Sequence, residues 1–549
     1  MKRKSLAAAL LAGVTALSLC ACGQNPVSQS TLPDTSTASE IPEVKSITLT
    51  ESWDFSGGFY AAISPTSSTH GIQYWVGNFY DTLVVRDGDE FKPSLAKSWK
   101  TSDDGMSYTF QIKEGVLFSD GTPLNAEAVK TSMEAAFYNL GDYATGFVKF
   151  SAILDSIEAT DTYVLTINLT SPYYGLLNDL ALAMPMGIVS PNAFNEDLST
   201  KEELLTQTFG TGPYMYAGDT DGTTYTFVRN PHYYGEAPDA GEFKVKVITD
   251  MSAAALALRG GEIDMITGSS RLSTDGYMEF SDAEGFGTVI DDHASSTRFI
   301  GFNVNKAPFN DVSVRQAVAY AVDKDMLAES VFSGLETAAN TFFSRDLPYC
   351  GVDTKTYDYN SETAQALLEQ SGWVDSDGDG IREKDGVKLS VTLDYTTDFG
   401  ALDNAALTIV QQLSEIGIGV TLRGSDNLTW YSYIFGDYDF SLHQTYGGFN
   451  DPYVIMTNMN PDLMSDPILS QITYVVDGGK DLILELDTTS DLDRVQEIYN
   501  KILTTNADQA ILIPLTYMEQ YAAFNSKKVA SFTFNANALY IDVANIKLD

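Results

Sequence analysis

Residues 388–423 read KLSVTLDYTTDFGALDNAALTIVQQLSEIGIGVTLR and decide the fold class of this chain. The segment starts with a strand pattern, KLSVTLDY (388–395), and continues with NAALTIVQQLSEIG (404–417), whose apolar residues recur at helical spacing. Gly417 fits the end of that helix, where a left-handed residue is common. GVTLR (419–423) is again a strand pattern. Strand, helix and strand in this order predict a βαβ unit and an α/β protein.

The same alternation continues on both sides of this unit. Before this unit, we predict helices at VRQAVAYAVDKDML (314–327) and TAQALLEQSG (363–372). After it, we predict a helix at RVQEIYNKILTTNAD (494–508) and a strand at AILIPLTY (510–517). Further upstream, order begins with a strand near Ser46, and MSYTFQI (106–112) and TYVLTINL (162–169) are further strand patterns. Between them, NAEAVKTSMEAAFYNL (125–140) predicts a helix with Asn125 as its N-cap.

Length and charge limit the classes of protein that fit. A chain of 549 residues is too long for one core, so we expect two large lobes or three subdomains. Hydrophobic residues make up 44% and charged residues 19%, which indicates a globular protein. The net charge of −41 would repel phosphate backbones and argues against nucleic-acid binding. Cationic partners stay open, although the ordinary reason for acidic excess is solubility.

The N-terminal residues have the pattern of a secretion signal. MKRK supplies positive charge, SLAAALLAGVTALSL an apolar run that is short for a membrane span, and CAC follows. The run from Leu19 to Cys22 resembles the bacterial lipoprotein signal, with residues 1–21 removed and Cys22 lipid-modified. Residues 22–45 are rich in Ser, Thr and Pro and predict a flexible linker. We therefore expect an extracytoplasmic protein anchored to the cell membrane, with Cys350 left as a single packing thiol.

Sequence motifs for catalysis are missing from the chain. It contains no G-x-S-x-G elbow, no H-E-x-x-H, no C-x-x-C and no Walker glycine loop. Its four histidines leave few options for a Ser-His-Asp arrangement. We therefore expect a protein that is not an enzyme and has no catalytic cofactor.

DSDGDGIREKDG (375–386) has the most metal-like spacing in the chain. Asp375, Asp377, Asp379 and Gly380 match the first half of a calcium loop, but Gly386 stands where that loop needs a bidentate Glu. A strand pattern follows where a partner helix would be needed. We predict a tight acidic turn, with structural calcium at Asp375, Asp377 and Asp379 as the alternative.

Several segments together resemble one family, the extracytoplasmic solute-binding proteins of ABC importers for peptides, nickel and opines (family 5). The longest is YDTLVVRDGDEFKPSLAKSWKTSDDGMSYTFQIKEGVLFSDGTPLNAEAVKTS (80–132). The others are GTGPYMY (210–216), RNPHYYGEAP (229–238), ALRGGEIDM (257–265), VRQAVAYAVDKDML (314–327) and SGWVDSDGDGIREKDGVKLSVTL (371–393). They occur in the matching order, and the resemblance covers about residues 47–549.

This resemblance implies a two-lobed periplasmic-binding-protein-like fold (class II, large) that closes over a ligand at a hinge. Lobe I would hold residues 46–290 and 515–549, with an extra subdomain at about 77–220, and lobe II residues 291–514. The liganded receptor, a monomer, would deliver its small-molecule or metal-chelate ligand from this interlobe cleft to the permease subunits of an ABC importer.

The region around His443 indicates the branch of the family. Peptide-binding members usually carry an Asp three residues before an acid-Pro pair, to meet the peptide's amino group. Here that pair is Asp451-Pro452, and the matching residue is Gly448. Nickel-type members instead resemble this chain, which has His443, then Thr445-Tyr446-Gly447, before the pair. We therefore expect nickel or another metal–chelate complex as the transported ligand.

The resemblance also implies a set of site residues. His443 would coordinate the metal, because imidazole is a borderline ligand that suits nickel, and His70 is a candidate second ligand. The expected cleft residues are Tyr446, Tyr395, Trp430, Tyr431, Tyr74, Trp75, Gln73 and Met184.

One feature departs from the nickel-type pattern. Met184 and Asp142 stand where nickel-type members often present arginines to a chelator's carboxylates. Either the ligand is less anionic, or Arg298 or Arg345 takes over this role. Two alternatives stay open: a peptide- or opine-binding receptor without metal, and a ligand sensor or adhesin that does not transport.

Overall fold

The computed structural model describes residues 44–62, 71–88, 90–141, 144, 148–219, 221–268, 272–397, 402–445, 452–463, 466–535 and 540–549. The fold is mixed α/β, and a single large sheet runs through it. The strand order in this sheet is Gly419–Ser425, Ser390–Thr396, Phe440–Gln444, Phe286–Phe302, Leu512–Asn525, Met265–Thr267, Ser46–Glu51, Glu242–Val247, Thr224–Arg229 and Tyr214–Asp219, and Glu336–Ala338 also pairs with Leu512–Asn525.

The βαβ unit predicted from residues 388–423 is confirmed. Ser390–Thr396 and Gly419–Ser425 pair in parallel, and the helix between them covers Leu402–Glu415. Gly417 has a φ of 84°, as expected for a glycine that ends a helix. Phe440–Gln444 adds to the other side of Ser390–Thr396, again in parallel. The strand that carries His443 is therefore buried inside the sheet.

Two long antiparallel strands join the two halves of the sheet. Phe286–Phe302 pairs with Leu512–Asn525 over most of its length. The pairing shifts register between Ile290 and Ala294, and again between Arg298 and Phe299. Such irregularities bend strands locally. The strand predicted at 510–517 covers Leu512–Asn525 and is therefore longer than its apolar run indicates.

Smaller sheets complete the β-structure. One is antiparallel, with the strand order Ala96–Thr101, Ser107–Ile112, Val164–Leu169 and Leu154–Asp161. Its two middle strands confirm the patterns predicted at 106–112 and 162–169. Two-stranded sheets are formed by Val84–Asp87 with Glu90–Pro93, Glu383–Lys384 with Val387–Lys388, and Val529–Phe532 with Ile546–Leu548.

The helices mostly begin where capping residues stand. Asn125 accepts a hydrogen bond from the N–H of Ala128 at 2.8 Å, as predicted. The α-helices of eight or more residues are Ala126–Leu140, Met251–Gly260, Thr274–Ser281, Val312–Ala321, Ser361–Gln370, Leu402–Glu415, Asn427–Ile434, Gly479–Leu486 and Leu492–Gln509. Shorter ones are Leu176–Leu180, Ala183–Met186, Lys324–Met326, Pro452–Asn458 and Gln471–Val475. None of the described helices is both long and apolar enough to span a membrane.

The single helix predicted at 314–327 is wrong. The helix ends at Ala321, and Val322 has extended backbone angles. A second helical segment then begins after Asp323, whose side chain accepts a hydrogen bond from the N–H of Met326 at 2.9 Å. Asp323 is a strong N-cap inside an apolar periodicity, and the cap decides the boundary.

Buried apolar residues form separate clusters that follow the sequence. The largest consists of residues between Phe299 and Leu515, and Cys350 lies within it. A second cluster combines residues 47–80 with residues 183–265 and the C-terminal residues from 522 onward. A third is built from residues 83–188 together with Tyr453. A fourth smaller cluster lies around Leu258 and Phe280.

Candidate functional site

His443 lies on the strand Phe440–Gln444, directly beside Phe299 of the long strand. Its side chain is 7% exposed, and its Nε2 atom is 3.1 Å from Oδ2 of Asp466. The following residue but one, Thr445, fixes the strand end, because its N–H donates to the Thr297 carbonyl at 2.9 Å and its hydroxyl accepts from the Thr297 N–H at 2.8 Å. His443 is therefore a hydrogen-bonded residue at a firmly held strand end.

Aromatic rings enclose the imidazole. The Trp430 ring lies 4.6 Å from it between centroids, and the Phe299 ring 5.3 Å. Trp430 is itself fixed, since its Nε1–H donates to Ser441 Oγ at 3.0 Å. Tyr431 packs edge-on against Trp430 at 4.9 Å, and burial raises the pKa of its hydroxyl. The structure thus brings His443, Trp430 and Tyr431 together.

Tyr395 lies on the neighbouring strand but on the other face. Asp394 pairs with Ser441, so alternation along the strands places Tyr395 opposite to Ser441 and His443. The Tyr395 hydroxyl donates to Asp403 Oδ1 at 2.7 Å. Burial, together with this carboxylate, raises the pKa of Tyr395 to about 12. This hydroxyl is therefore a neutral hydrogen-bonding group.

The expected site residues of lobe I belong to a different hydrophobic cluster. Trp75 is fully buried there, stacked on Phe243, with its Nε1–H donating to Glu51 Oε2 at 2.8 Å. Gln73 and Tyr74 are half-buried in the short 3₁₀ helix Gly71–Tyr74.

Met184 is also half-buried in this part of the molecule, and its N–H donates to the Tyr540 hydroxyl at 3.1 Å. Trp75 thus packs in the core and supplies a hydrogen bond to the Glu51 carboxylate. The side chains of Gln73, Tyr74 and Met184 are partly exposed. His70, Tyr446, Gly447, Gly448, Asp142 and Cys22 lie outside the described residues.

Both candidate carboxylate-binding arginines are bonded to carboxylates of the chain itself. Arg298 is buried, and its Nε donates to Glu336 Oε1 at 2.8 Å while its Nη1 donates to Gln444 Oε1 at 3.0 Å. Arg345 is exposed, and its Nη2 donates to Asp353 Oδ1 at 2.7 Å. Arg298 adjoins the His443 strand end, but its charge is neutralised by Glu336.

The acidic segment 375–386 forms a turn held by its own hydrogen bonds. Asp375 accepts the N–H groups of Gly378 and Gly380 at 2.7 and 3.0 Å. Asp377 and Asp379 both accept from Lys388 Nζ, the first at 3.0 Å. Oxygens of Asp375, Asp377 and Glu383 lie within 4.8 Å of one another; the two aspartates are exposed, Glu383 is half-buried, and the predicted Asp379 is not part of this group. The turn is confirmed, and the expectation of structural calcium has no support in it.

Several residues around His443 were missed by sequence reasoning. Asp466, Glu336 and Gln444 complete the hydrogen bonding around the strand end, and none belongs to a motif. Asp466 stands in MSDPILS (464–470), where an acid before Pro marks only a turn. Its distance of 23 positions from His443 gives no sequence signal of their contact.

This fold is that of a solute-binding protein of ABC import. Residues 90–463 match the family model of "Bacterial extracellular solute-binding proteins, family 5 Middle", and the chain belongs to this family. Family members are transport receptors outside the cytoplasm and not enzymes. The homologues include binders of nickel, of Fe(III)-EDTA and of peptides.

Individual relatives sharpen this assignment. The nickel-binding periplasmic protein of Escherichia coli (strain K12) is 30% identical over 479 residues, which cover 86% of this chain and 89% of the relative. NikA of Brucella suis in complex with Fe(III)-EDTA has a TM-score of 0.84 at 28% identity, covering 92% of this chain and all of that one. The probable D,D-dipeptide-binding protein DdpA of E. coli is 27% identical over 470 residues, 83% of this chain and 86% of the relative.

Proposed function

We propose that this chain captures nickel or another metal–chelate complex and delivers it to the permease subunits of an ABC importer. The observation that carries the proposal is His443, an imidazole fixed by Asp466 and by two aromatic rings at a strand end. A fixed imidazole is suited to nickel, and one protein ligand suffices when a chelator fills the other positions. The nickel-binding relative from E. coli gives independent support.

The ligand would lie between two lobes. Lobe I would comprise residues 46–290 and 515–549, with a subdomain at about 77–220, and lobe II residues 291–514. The support is the largest hydrophobic cluster, which is confined to residues 299–515. The long strands Phe286–Phe302 and Leu512–Asn525 would cross between the lobes, and the register shift after Ile290 lies at the proposed boundary. A hinge needs only a few residues that absorb a backbone change.

In the cleft, we propose His443 as the metal ligand and His70 as a candidate second one. Trp430 and Tyr431 would form the wall beside the imidazole, supported by their ring contacts. Gln73, Tyr74 and Met184 would face them from lobe I with their exposed portions. Tyr446 is a further proposed cleft residue. Trp75 is left out because it is fully buried in the core, and Tyr395 because it lies on the face of the sheet opposite His443.

The charges favour a chelator with few uncompensated carboxylates. Arg298 and Arg345 are already engaged by Glu336 and Asp353. A polyanionic chelator would have to compete with these carboxylates for bidentate donors. The same observation favours the second candidate function, in which a peptide-derived ligand without metal is bound; the relative DdpA is named as a probable dipeptide-binding protein.

The receptor would act as a monomer tethered by lipid on Cys22, after removal of residues 1–21, with residues 22–45 as the linker. Support comes from the residue pattern around Cys22 and from the extracytoplasmic family. Replacing Cys22 by Ser should release the protein from the membrane fraction. Retention of the Cys22→Ser protein on membranes would contradict the anchor.

The test of the ligand is native mass spectrometry with elemental analysis on protein isolated from its own cells. We expect a bound mass that contains nickel or another metal with its chelator, and we expect it to disappear in His443→Ala. His232→Ala is the matched control, because His232 is exposed and should leave the bound mass unchanged. A peptide mass without metal would overturn the metal-chelate function and favour the second candidate.

A further inference from the structure

A small cavity lies between the loop residues 340–357, the end of the helix Leu492–Gln509 and the start of the strand Leu512–Asn525. The space open to the centre of a water-sized sphere is about 20 Å³. A cavity needs about 10–15 Å³ by this measure to hold one water molecule. The cavity therefore has room for one small ion. His443 and Asp466 are not among the described residues that line it.

The wall of this cavity carries positive charge. Lys324 and Lys355 both line it, and no Asp or Glu is found among its described lining residues. Acidic residues outnumber basic ones by 74 to 33 in this chain, so a wall with two lysines and no acid runs against the composition. Within the described part of the chain, no carboxylate forms an ion pair with either lysine. The wall therefore favours an anion over a cation.

Lys324 supplies a buried ammonium group. The residue is 6% exposed, and its Nζ donates to the Ala339 carbonyl at 3.1 Å, next to the lining residue Asn340. An ammonium group has three N–H donors, and this is its one hydrogen bond to the described residues. Burial lowers the pKa of Lys324 to about 8, although the carboxylates of Asp358 and Asp325 act in the opposite direction. Two donors of a buried charged group are left for a further partner.

Lys355 supplies a second positive charge from the loop. It is half-buried, and its Nζ lies 4.5 Å from the ring centroid of Tyr357, which also lines the cavity. An aromatic face attracts a cation but carries no net charge to neutralise it. The ring therefore holds Lys355 at the cavity with its charge intact.

Two polar side chains of the wall are already hydrogen-bonded to the backbone. The Tyr357 hydroxyl donates to the Ala507 carbonyl at 2.7 Å. Asn506 donates to the Leu512 carbonyl at 3.0 Å and accepts the Leu512 N–H at 2.9 Å. These bonds fix the wall of the cavity and leave the charged donors of the two lysines for a bound ion.

We propose that this cavity binds one small inorganic anion, of about the size of chloride, between Lys324 and Lys355. The exposed Asn340 and the half-buried Thr354 line the cavity as well and can donate further hydrogen bonds. The anion supplies the negative charge that the buried ammonium needs, because a buried charge without a partner is costly. The site is independent of the transported ligand, since it uses none of the proposed cleft residues.

The test is a titration with sodium chloride, followed by the ³⁵Cl NMR line width. The full chain is kept in sodium gluconate, whose anion is too large for the cavity, and ionic strength is held constant. We expect saturable line broadening in the wild type. Lys324→Met, which keeps the length of the side chain, should weaken binding about 10-fold or more, because hydrogen bonds to charged groups are the strong ones. Lys355→Met should weaken it about 2- to 5-fold, as for a partly exposed charge.

Lys384→Met is the matched control. Lys384 is also half-buried and lies 6.0 Å from the Trp373 ring centroid, but it does not line the cavity. This variant changes the net charge by the same amount and should bind chloride like the wild type. Should Lys324→Met fail to fold, the comparison of Lys355→Met with Lys384→Met decides. Wild-type affinity in either cavity variant, or no saturable broadening in the wild type, would overturn the site.

The pH dependence gives a second readout. Above its pKa of about 8, Lys324 loses its charge, whereas Asp325 and Asp358 stay ionised. Chloride affinity should therefore fall as pH rises from about 7 to about 10, where Lys355 at its ordinary pKa is still largely charged. An affinity that stays constant over this range would show that the chloride binds away from Lys324 and would overturn the site.

Discussion

Two buried polar clusters in this molecule differ in how completely their carboxylates are hydrogen-bonded. The histidine cluster comprises His443, Asp466, Arg298, Glu336 and Gln444. In it, both carboxylates have hydrogen-bond partners: Asp466 has His443 Nε2 and the N–H groups of Ile468 and Leu469, and Glu336 has Arg298 and the Thr516 hydroxyl at 2.5 Å. Burial still raises the pKa of Glu336, against the effect of Arg298 and Thr516.

The tyrosine cluster comprises Tyr173, Tyr453, Asp179, Asp487 and Lys149. The Tyr173 hydroxyl contacts both the Tyr453 hydroxyl and Asp179 Oδ2. Asp487 Oδ1 is buried with no hydrogen-bond partner among the residues that the structure describes. Burial raises the pKa of Asp487 to about 6 and lowers that of the Lys149 ammonium. Charge is only partly compensated here.

The difference follows from where each cluster lies. In the histidine cluster, His443, Gln444, Arg298 and Glu336 lie on strands of one sheet, and Asp466, outside these strands, is fixed by the N–H groups of Ile468 and Leu469. The tyrosine cluster joins residues 149–179 to residues 453–487, and Tyr453 packs into a hydrophobic cluster whose other buried members are residues 83–188. In the proposed division this is a contact between lobes. The clusters therefore differ in that Asp487 Oδ1 has no hydrogen-bond partner among the described residues, whereas the carboxylates of Asp466 and Glu336 have partners.

The largest effect is expected from breaking the histidine cluster at Glu336. Glu336→Gln removes the charge that compensates buried Arg298, and leaving a buried charge without its partner costs about 3 kcal/mol of unfolding free energy. Urea denaturation measures the loss. Glu329→Gln is the control, because Glu329 is exposed and should change stability by no more than about 0.5 kcal/mol. Equal stability of Glu336→Gln and wild type would show that this cluster is no better compensated than the other.

An intermediate effect concerns pH and Asp487. The folded pKa of about 6 lies above the ordinary value of 3.8, so the folded state binds more protons between these values. The free energy of unfolding therefore falls as pH rises from about 4 to about 6, by on the order of 2 kcal/mol from this group. Asp487→Asn should lack this component in denaturation curves taken across that range.

Asp477→Asn, at an exposed position, is the control for this pH dependence and should follow the wild type. If Asp487→Asn and wild type changed in parallel with pH, the tyrosine cluster would be as well compensated as the histidine cluster.

The smallest effect is expected from Tyr453→Phe. The substitution removes one hydroxyl of the contact with Tyr173 but keeps the ring packing, so the loss should be about 1 kcal/mol of unfolding free energy. Thermal denaturation measures the loss. Tyr474→Phe, at a residue that is 56% exposed, should leave the stability unchanged in the same experiment. A loss as large as that of Glu336→Gln would mean that the hydroxyl contact is a main support of the native state.

The sequence predicted the local elements of the sheet with good precision. The βαβ unit, the helix after Asn125 and the strands at 107–112 and 164–169 all occur where periodicity and capping indicate. The failure at 314–327 has a local cause, since Asp323 caps a new helical segment inside an apolar pattern. The length of the strands 286–302 and 512–525 was missed, because pairing with a distant strand extends both beyond their apolar runs.

The site was only partly predictable. His443, Trp430 and Tyr431 could be named from motif and composition, and the structure brings them together. Trp75 was expected in the cleft, but Glu51, 24 positions away, accepts its indole N–H and holds it in the core. The ion pair between Arg298 and Glu336 could not be predicted either. The two residues are 38 positions apart, and their strands both pair with a third strand, Leu512–Asn525.

The sequence by itself determined the fold class and the family, because periodicity, caps and ordered motifs are local properties of the chain. The tertiary structure alone decided which nitrogen of His443 faces a carboxylate, which arginine is neutralised and which tryptophan is buried. Those outcomes depend on hydrogen bonds between residues far apart in the chain, and a buried polar group takes whatever partner the fold brings to it.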